Sequence, residues 1–370
     1  MSGPDYLLLD RLEKRFGDVA AVREVSLSIE RGWFVSLLGP SGCGKTTTLR
    51  MIAGLEAPSS GRILLEGKDV VPLEPADRDM AFVFQFYALY PHLSVYENVA
   101  FPLRAAGRPK GEIDARVREV SERLGLAPIL RARPRQLSGG DMQRTALARA
   151  LVRRPKAFLM DEPLGTLDAR SRETMREELR ALHLEVGATT VYVTHDQSEA
   201  MSLSERIAVM SEGRVVQFGS PRDVYERPAD LFVAGFVGSP AMAFVRGRLV
   251  VPDSRFVDPE SGVVAHVARR LAGEPGRGEV TLGVRPEHVR LGGTAGPASF
   301  RASVIHTEPL GSHNMVELTA GPARLRARVP RGVVYPDGAD ALASLDPSGV
   351  HLFDGASGRS ILSTAGEAAP

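Results

Sequence analysis

The chain has 370 residues, and its 46 lysines and arginines nearly balance its 45 aspartates and glutamates. This balance gives no reason to expect nucleic acid or another polyanion as the main partner, and a hydrophobic content of 43% is typical of a globular protein. The one cysteine excludes an internal disulfide and fits a reducing compartment. No apolar run approaches the roughly 18 residues of a membrane span, and the N-terminus does not have the pattern of a signal peptide.

The first part of the chain is predicted to alternate strands and helices. Residues 87–155 have the apolar spacing of helices, clearest in "EIDARVREVSERLGL". Strands are expected over residues 6–16, 20–30, 32–38, 61–70 (as a hairpin), 79–85, 156–162, 189–196 and 206–219 (as two strands). This order predicts an α/β domain with a helical insertion.

The composition changes after about residue 238. The remaining residues are rich in glycine, proline, valine and arginine, and they contain short strand-like pieces such as "EVTLGV" and "RLRARV". Such spacing is typical of a small β-barrel. We therefore expect a nucleotide-binding domain over residues 1–238, with its helical part at about 87–155, and a β-domain over residues 239–370.

A phosphate-binding loop is predicted between the third strand and the first helix. Gly39, Gly44, Lys45 and Thr46 match the template G-x-x-x-x-G-K-[ST]. In such a loop the backbone N–H groups surround phosphate, the lysine reaches the β- and γ-phosphates, and the threonine hydroxyl holds Mg²⁺. A plain glycine turn is the alternative, but the strand–loop–helix context favours nucleotide binding. The other loop residues expected at the nucleotide are Pro40, Ser41, Gly42, Cys43 and Thr47.

Cys43 lies within this loop, close to a helix N-terminus and two residues from Lys45. Both features lower the pKa of a thiol, so the sequence predicts a reactive cysteine. A small, inert loop residue is the alternative.

Two acidic residues end the apolar strand "KAFLMDE". Asp161 is placed where it would contact Mg²⁺ through the ion's hydration shell, as a carboxylate does in phosphate-loop NTPases. Glu162 is placed to polarise a water beside the γ-phosphate. The two acids could also simply cap the turn that follows.

A second glycine-rich segment opens a predicted helix at Ser138, Gly139 and Gly140. The free N–H groups at a helix N-terminus bind phosphate, although Ser138 could act only as a helix cap. Two anion sites about 95 residues apart suit one nucleotide if the second site closes over a nucleotide held by another copy of the chain.

These motifs, in this order, resemble the ATP-binding cassette (ABC) family. The chain has "LSGG", then "FLMDEP", "LDA" and "VTHD". The segments "FQFYALYPHLSVYENVAFPL", "VYERPADLFVAGFVGSPAMAF" and "LGVRPEHVRL" are similar to the ATPase subunits of bacterial importers of the maltose type. The resemblance covers nearly the whole chain. It implies a P-loop cassette with a helical subdomain and a C-terminal all-β oligonucleotide/oligosaccharide-fold domain.

The resemblance also implies roles for single residues. Phe16 matches the aromatic that stacks on adenine, and Gln85 matches the glutamine that links Mg²⁺ and the attacking water to the transmembrane partner. Glu162 matches the catalytic base, and His195 matches the histidine that contacts the γ-phosphate. Asp168 matches the loop between the two ATPase subunits.

By the same resemblance, the segment Ser138–Gly140, called the signature segment below, completes the site of the partner ATPase subunit. The expected complex contains two ATPase subunits, as a homodimer or heterodimer, with ATP and Mg²⁺. Its further partners are permease subunits, docked near Tyr87–Asn98, and through them a solute-binding protein. It would lie peripherally on the cytoplasmic side of the inner membrane.

The predicted function is the ATP-hydrolysing motor of a bacterial importer for a carbohydrate, polyol or glycerol-phosphate-type solute. An importer ATPase for polyamine or iron is one alternative. A non-transport ABC ATPase acting on ribosomes or DNA is another, but this chain has one cassette and no long coiled-coil insert. Direct nucleic-acid binding by the β-domain is not expected, because that region has few aromatic residues for stacking bases.

The sequence departs from the family pattern at two places. Asp141 follows the signature segment where glutamine is usual, and Gly165-Thr166 precedes "LDA" where Ser-Asn is common. A carboxylate at position 141 would repel the γ-phosphate of the opposite subunit. Alternatively, Arg144, three residues along the helix, neutralises it, or the complex is a heterodimer in which this signature faces a less active site.

Overall fold

The computed structural model describes residues 6–250, 255–269, 271, 278–296 and 298–362. The chain forms two compact units, which divide between residues 221 and 222. The mixed strand–helix pattern falls in the first unit and the run of short strands in the second, so the predicted fold class is confirmed.

The first unit alternates strands and helices. Its strands are β1 (Leu7–Phe16), β2 (Val19–Ile29), β3 (Phe34–Leu38), β4 (Ser60–Leu65), β5 (Lys68–Asp69), β6 (Met80–Val83), β7 (Ala157–Asp161), β8 (Thr189–Thr194), β9 (Arg206–Ser211) and β10 (Arg214–Gly219). Its helices are α1 (Lys45–Ala53), α2 (Val95–Ala105), α3 (Lys110–Arg123), α4 (Gly139–Leu151), α5 (Ala169–Val186) and α6 (Gln197–Leu203).

Six strands of this unit form one sheet in the order β10-β9-β3-β8-β7-β6. All neighbours from β9 to β6 are parallel, and only β10 runs antiparallel. Every residue of β3, β7 and β8 is buried. Parallel strands covered on both faces need such continuous apolar sequence, which is why these segments were recognisable.

The other strands of the first unit form an antiparallel sheet, in the order β2-β1-β4-β5. Leucines at alternate positions of β1, such as Leu7 and Leu9, are fully buried. These leucines and helix α1 pack against one face of the parallel sheet, in a core that contains Leu37, Leu49 and Val193. This packing fixes α1 directly behind the end of β3.

Helices α2, α3 and α4 form the predicted helical part. Helix α2 begins with a capping box, in which Ser94 and Glu97 satisfy each other's backbone N–H groups. Buried residues of all three helices, among them Val99, Val117 and Leu147, share one apolar cluster with strands of the parallel sheet. The helical part therefore packs directly against the parallel sheet.

The second unit is mainly β-structure. Two short helices precede its strands, α7 (Pro221–Glu226) and α8 (Leu231–Phe236). The strands are β11 (Ala243–Val250), β12 (Arg255–Val257), β13 (Val264–His266), β14 (Glu279–Val284), β15 (Val289–Leu291), β16 (Ser299–Pro309), β17 (His313–Ala320), β18 (Ala323–Pro330), β19 (Asp340–Leu345) and β20 (Val350–Asp354). They form two antiparallel sheets, β13-β12-β11-β14-β20 and β15-β19-β16-β17-β18, whose buried residues form one core.

Arg285 joins the two short helices to the β-structure of the second unit. Its side chain is 1% exposed, and its guanidinium donates to the carbonyl of Val237 at 2.6 Å and to that of Tyr225 at 2.8 Å. The guanidinium also stacks on the Tyr225 ring at 3.7 Å. A Cβ at position 238 would lie 2.3 Å from this guanidinium, so only glycine fits there. The arginine is one of the contacts that join residues 222–238 to the second unit.

Across the described residues, none of the helices combines the length and the apolar character that a membrane crossing requires.

We expect Arg285→Met to lower the free energy of unfolding of the second unit by about 2–4 kcal/mol, because two buried carbonyls lose charged donors. The measurement is a urea melt of the full chain followed by circular dichroism. Arg290→Met is the matched control, because Arg290 makes an exposed ion pair with Asp346 and should cost less than about 1 kcal/mol. Equal losses in the two variants would contradict this role of Arg285.

Candidate functional site

The site is built from four loops at one edge of the parallel sheet. Strands β3, β8, β7 and β6 are neighbours and parallel, so their carboxyl ends lie side by side. Ligands of open α/β sheets bind at this edge. The four loops carry the predicted phosphate loop, His195, the pair Asp161–Glu162, and Gln85.

The phosphate loop runs from Gly39 to the start of α1. Gly42 and Gly44 have φ values of 80° and 100°, which lie in the left-handed region that favours glycine. A Cβ on Gly44 would also lie 2.6 Å from the carbonyl oxygen of Ala21. These glycines are therefore required by the backbone, and the turn they form presents the first N–H groups of α1 to the edge of the sheet.

Lys45 is held inside this loop. Its side chain is only 5% exposed, and its ammonium donates to the carbonyls of Gly39 at 2.8 Å and Pro40 at 2.9 Å. These two carbonyls and the Cys43 Sγ atom at 3.9 Å are all uncharged partners. The ammonium can therefore exchange the carbonyls for an anion that enters the loop, and it gains a charged partner when it does so.

Thr46 and Asp161 connect the phosphate loop to the end of β7. The Thr46 hydroxyl donates to Oδ1 of Asp161 at 2.8 Å. Burial is the largest effect on this carboxyl and raises its pKa, although the Thr46 hydrogen bond and the charges of Arg50 and Lys45 oppose the rise. No lysine or arginine within the described ranges forms an ion pair with Asp161. A bound cation would give this partly buried carboxylate a partner of opposite charge.

Glu162, His195 and Gln85 meet beside this pair. Oε2 of Glu162 lies 3.2 Å from Nδ1 of His195 and 3.5 Å from the amide nitrogen of Gln85. The Glu162 side chain is 19% exposed and that of His195 59% exposed. Glu162 has φ 43°, and its N–H donates to the carbonyl of Val193 at 3.0 Å. This left-handed backbone conformation turns the carboxylate away from the direction of the strand. Such backbone strain is often found at functional sites.

The signature segment and Asp168 form a second group. Ser138 caps α4, and a Cβ on Gly139 would lie 3.2 Å from the side chain of Leu167. Asp168 caps α5 through the N–H of Ser171 at 3.0 Å. No hydrogen bond among the described residues joins this group to the phosphate loop, so one chain does not bring the two predicted anion sites into direct contact.

Phe16 lies at the end of β1, and its ring is 49% exposed with the ammonium of Lys14 4.9 Å from its centre. An exposed aromatic ring at this position is free to stack on a planar ligand.

Asp141 is paired within its own helix, with an arginine that also forms an ion pair with Glu178 of α5. Its Oδ1 accepts from Arg144 at 2.9 Å, its Oδ2 accepts from the Ser138 hydroxyl at 2.7 Å, and its N–H donates back to Ser138 at 3.1 Å. Burial opposes ionisation here, but the hydrogen bonds from Ser138 and Arg144 outweigh it and lower the pKa of Asp141. The structure thus has the predicted Arg144 pair, with Ser138 as an additional partner.

Cys43 differs from the expectation of a low pKa. The side chain is 4% exposed, and burial, the largest effect, raises the pKa of the thiol although Lys45 Nζ lies 3.9 Å from Sγ. The prediction of a lowered pKa was wrong because it counted the nearby positive charges and not the desolvation of the thiolate.

Sequence reasoning gave no role in this site to three residues that lie beside it. The Tyr87 hydroxyl lies 2.7 Å from the Thr166 hydroxyl, and Arg149 donates to the backbone carbonyl of Tyr87 at 2.9 Å. In the sequence, Tyr87 is one end of the expected docking segment and Thr166 is a departure before "LDA", but no local pattern indicates the contacts that these residues and Arg149 make.

The described residues contain no cluster of three or more histidine, cysteine, aspartate or glutamate side chains able to hold a metal ion by themselves. A cation at Asp161 would therefore rely on ligands from a hydroxyl, an amide, water or the bound anion, which is the usual environment of Mg²⁺.

Three family models match the chain. The model described as "ABC transporter" matches residues 22–165, the "MalK OB fold domain" model matches residues 238–289, and the "TOBE domain" model matches residues 282–353. Together they extend over both compact units.

Named proteins match over nearly the full length. The trehalose/maltose import ATP-binding protein MalK of Thermococcus litoralis is 47% identical over 94% of this chain and 97% of its own. The sn-glycerol-3-phosphate import ATP-binding protein UgpC of Ruegeria pomeroyi is 44% identical over 96% of this chain and 99% of its own. Among solved structures, the dimeric ATP-binding cassette MJ0796 with ADP and Pi bound has a TM-score of 0.52, at 34% identity, over 58% of this chain and 99% of that one.

We expect Asp141→Gln to leave the ATP concentration for half-maximal hydrolysis unchanged within about twofold, because the carboxylate is already held by hydrogen bonds from Arg144 and Ser138. Arg144→Met should raise that concentration, and the double variant should restore it. The assay is phosphate release by the purified chain over a range of ATP concentrations. A marked fall for Asp141→Gln alone would show that the carboxylate repels the nucleotide.

The Asp141 carboxylate should also stabilise the fold by less than about 1 kcal/mol at neutral pH, since it is partly exposed. Its pKa is lowered in the folded state, so the contribution is present above the unfolded pKa and is lost as the pH falls through the folded pKa. Urea melts of Asp141→Gln and the unsubstituted chain should therefore converge in acid. A difference that persists there would contradict this assignment.

For Cys43, we expect the rate of reaction with 4,4′-dithiodipyridine, which modifies thiols and not amines, to keep rising beyond about pH 9, because the thiolate is the nucleophile and burial raises the pKa of this thiol. The chain has one cysteine, so the labelling rate reports this residue alone. N-acetylcysteine serves as the reference for an exposed thiol. A rate that levels off near pH 7 would restore the original expectation.

Proposed function

This chain belongs to the ATP-binding subunits of ABC importers, and on this basis we propose a solute class for it and a role for each residue of the site. It is an ATPase whose hydrolysis is coupled to solute import, and its partners are permease subunits and, through them, a solute-binding protein. The resemblance stated from the motifs is confirmed.

The solute is a carbohydrate, polyol or glycerol-phosphate-type compound. The support is that proteins named for trehalose or maltose import and for sn-glycerol-3-phosphate import match this chain at 47% and 44% identity, across almost its whole length. Because an ATPase subunit does not contact the transported molecule, the permease decides between these solutes.

ATP binds with its β- and γ-phosphates in the loop Gly39–Thr47. Lys45 exchanges the carbonyls of Gly39 and Pro40 for phosphate oxygens, and the N–H groups at the start of α1 donate to the same phosphates. The exposed ring of Phe16 stacks on the adenine. The supporting observation is the buried ammonium that has only neutral partners.

Mg²⁺ fits the site, because Asp161 is a buried carboxylate whose hydrogen bond comes from a hydroxyl. Thr46 and Gln85 would hold the ion with the phosphates, and Asp161 would contact it through water. When bound, the ion neutralises charge that develops on the phosphates during cleavage.

Glu162 is the general base for the attacking water. Its Oε2 atom lies 3.2 Å from His195 and 3.5 Å from Gln85, so a water that the glutamate polarises is also within reach of both neighbours. His195 contacts the γ-phosphate, and Gln85 orients the water and connects this step to the permease side. The meeting of these three side chains beside the Thr46–Asp161 pair is the observation that carries the proposed function.

Two ATPase subunits close around ATP. Ser138, Gly139 and Gly140 at the N-terminus of α4 complete the nucleotide site of the partner subunit, and Asp168 lies between the subunits. The separation of this group from the phosphate loop within one chain supports an arrangement in which a second subunit supplies it. The pair is a homodimer or a heterodimer.

The permease docks on the surface around Tyr87–Asn98, and the chain lies peripherally on the cytoplasmic side of the cell membrane. Phe86 is 74% exposed, and Tyr90 and Phe101, 36% and 41% exposed, lie against each other with ring centres 4.5 Å apart. Exposed aromatic residues that cluster are typical of protein–protein contacts.

The second unit has a regulatory role. The ATPase motifs lie before residue 222, which leaves the β-unit free of a chemical task. We keep residue 238 as the proposed functional boundary, although residues 222–238 pack with the second unit.

We expect Glu162→Gln to lower the steady-state rate of ATP hydrolysis by a factor on the order of 10² or more, because the amide cannot accept the proton of water. ATP binding should be nearly unchanged, so the variant should accumulate as a closed dimer when ATP is present. The measurements are phosphate release and size-exclusion chromatography with and without ATP.

Glu185→Gln is the matched control, because the Glu185 side chain is 54% exposed and forms an ion pair with Arg123 on the surface. It should hydrolyse ATP at the unsubstituted rate. A Glu162→Gln variant that turns over at a similar rate would exclude Glu162 as the base.

A further inference from the structure

We propose that Tyr87 is a positioning residue that holds the loop of Gln85, helix α4 and the loop before Asp168 in one arrangement, so that Gln85 faces Glu162. The inference rests on the proposed function, because it concerns the same hydrolytic site. It assigns a role to a residue that belongs to no chemical motif of the sequence.

The backbone at Tyr87 has an unusual conformation. Tyr87 and Ala88 have φ values of 57° and 48°, so two successive residues with side chains occupy the left-handed region. Such residues need the surrounding structure to hold them there. The turn follows directly after Gln85, so its conformation sets the direction in which Gln85 leaves the sheet.

Arg149, on the last turns of α4, holds this backbone. Its guanidinium donates to the carbonyl of Ala88 at 2.6 Å and to that of Tyr87 at 2.9 Å. Throughout the described part of the chain no carboxylate forms an ion pair with Arg149, and burial lowers the pKa of its guanidinium. The donors of this cation are therefore used by the strained turn, and the turn is tied to the C-terminal part of α4.

The other end of Tyr87 reaches the N-terminal part of the same helix. A Cβ on Gly139 would lie 3.5 Å from the Tyr87 hydroxyl. Gly139 and Arg149 are ten residues apart, or about 15 Å along the helix. Tyr87 thus contacts α4 at two places, through the Arg149 side chain at its carbonyl and beside Gly139 at its hydroxyl.

The hydroxyl of Tyr87 also contacts the loop that carries Thr166. The two hydroxyl oxygens are 2.7 Å apart, whereas the amide of Gln85 is 3.5 Å from Glu162, at the limit of a hydrogen bond. Tyr87 is two residues from Gln85, and Thr166 is four residues from Glu162. The Tyr87–Thr166 contact therefore joins the two loops that carry Gln85 and Glu162, at a place where it can set the distance between these two side chains.

The test is a double-mutant cycle on the purified full chain, in which kcat and KM for ATP are measured by phosphate release with Mg²⁺. Tyr87→Phe and Thr166→Val each remove one hydroxyl and keep the shape of the side chain. We expect either substitution to lower kcat about two- to fivefold with KM unchanged within about twofold, since one partly exposed hydrogen bond is lost. The double variant should be no slower than either single variant.

Two controls separate positioning from a general loss of structure. Thr166→Ser keeps a hydroxyl and should retain the unsubstituted kcat. Tyr335→Phe removes a phenol hydroxyl in the second unit, where no described residue accepts or donates a hydrogen bond to it, and should also leave kcat unchanged.

The outcomes distinguish this inference from the proposed function. An unsubstituted chain that releases no phosphate from ATP would contradict both. A chain that hydrolyses ATP, but in which the single variants keep full kcat, would contradict the positioning role alone. Effects that multiply in the double variant, or that change KM as much as kcat, would contradict it as well.

Discussion

Parallel pairing of β3, β8, β7 and β6 determines which loops of this chain can meet. Leu38 pairs with Thr194, and Asp161 pairs with Val193, so these three strands end at nearly the same level. The strands are buried on both faces, which fixes their register because a shift would move apolar side chains out of the core. Residues from four distant parts of the sequence therefore converge, namely Lys45, Gln85, Glu162 and His195.

At this edge of the parallel sheet, two charged side chains have hydrogen-bond partners that are uncharged. Lys45 uses two carbonyls, and Asp161 uses the hydroxyl of Thr46. A bound cation would have the Asp161 carboxylate as a partner of opposite charge, and a bound anion would have the Lys45 ammonium. Only hydrogen bonds to uncharged groups are lost when these ligands bind. The left-handed backbone at Glu162 belongs to the same arrangement, because it turns a carboxylate towards His195 at the end of a strand. The fold thus forms the proposed nucleotide site without a bound ligand.

The sequence predicted what depends on local chemistry. The apolar runs of β3, β7 and β8 and the glycines of the phosphate loop follow from burial and from φ values that only glycine adopts easily. The roles of Tyr87 and Arg285 could not be predicted, because each depends on contacts with residues far along the chain. The same is true of Cys43, because its distance in sequence from Lys45 can be read directly, whereas its burial in an apolar cluster is known only from the fold. Local sequence pattern indicates the helices and strands and where they end. The burial of a side chain and its long-range hydrogen bonds are known only once the fold is known.

The central claim is that Lys45 exchanges two carbonyls for phosphate oxygens. A crystal structure of the chain with Mg²⁺ and a non-hydrolysable ATP analogue tests it most directly, because the position of Lys45 can be compared with its position on the carbonyls of Gly39 and Pro40. The account predicts that the ammonium leaves the carbonyls of Gly39 and Pro40 and binds the β- and γ-phosphates, with the γ-phosphate facing Glu162 and His195. An analogue bound elsewhere, with Lys45 still on the two carbonyls, would contradict the account.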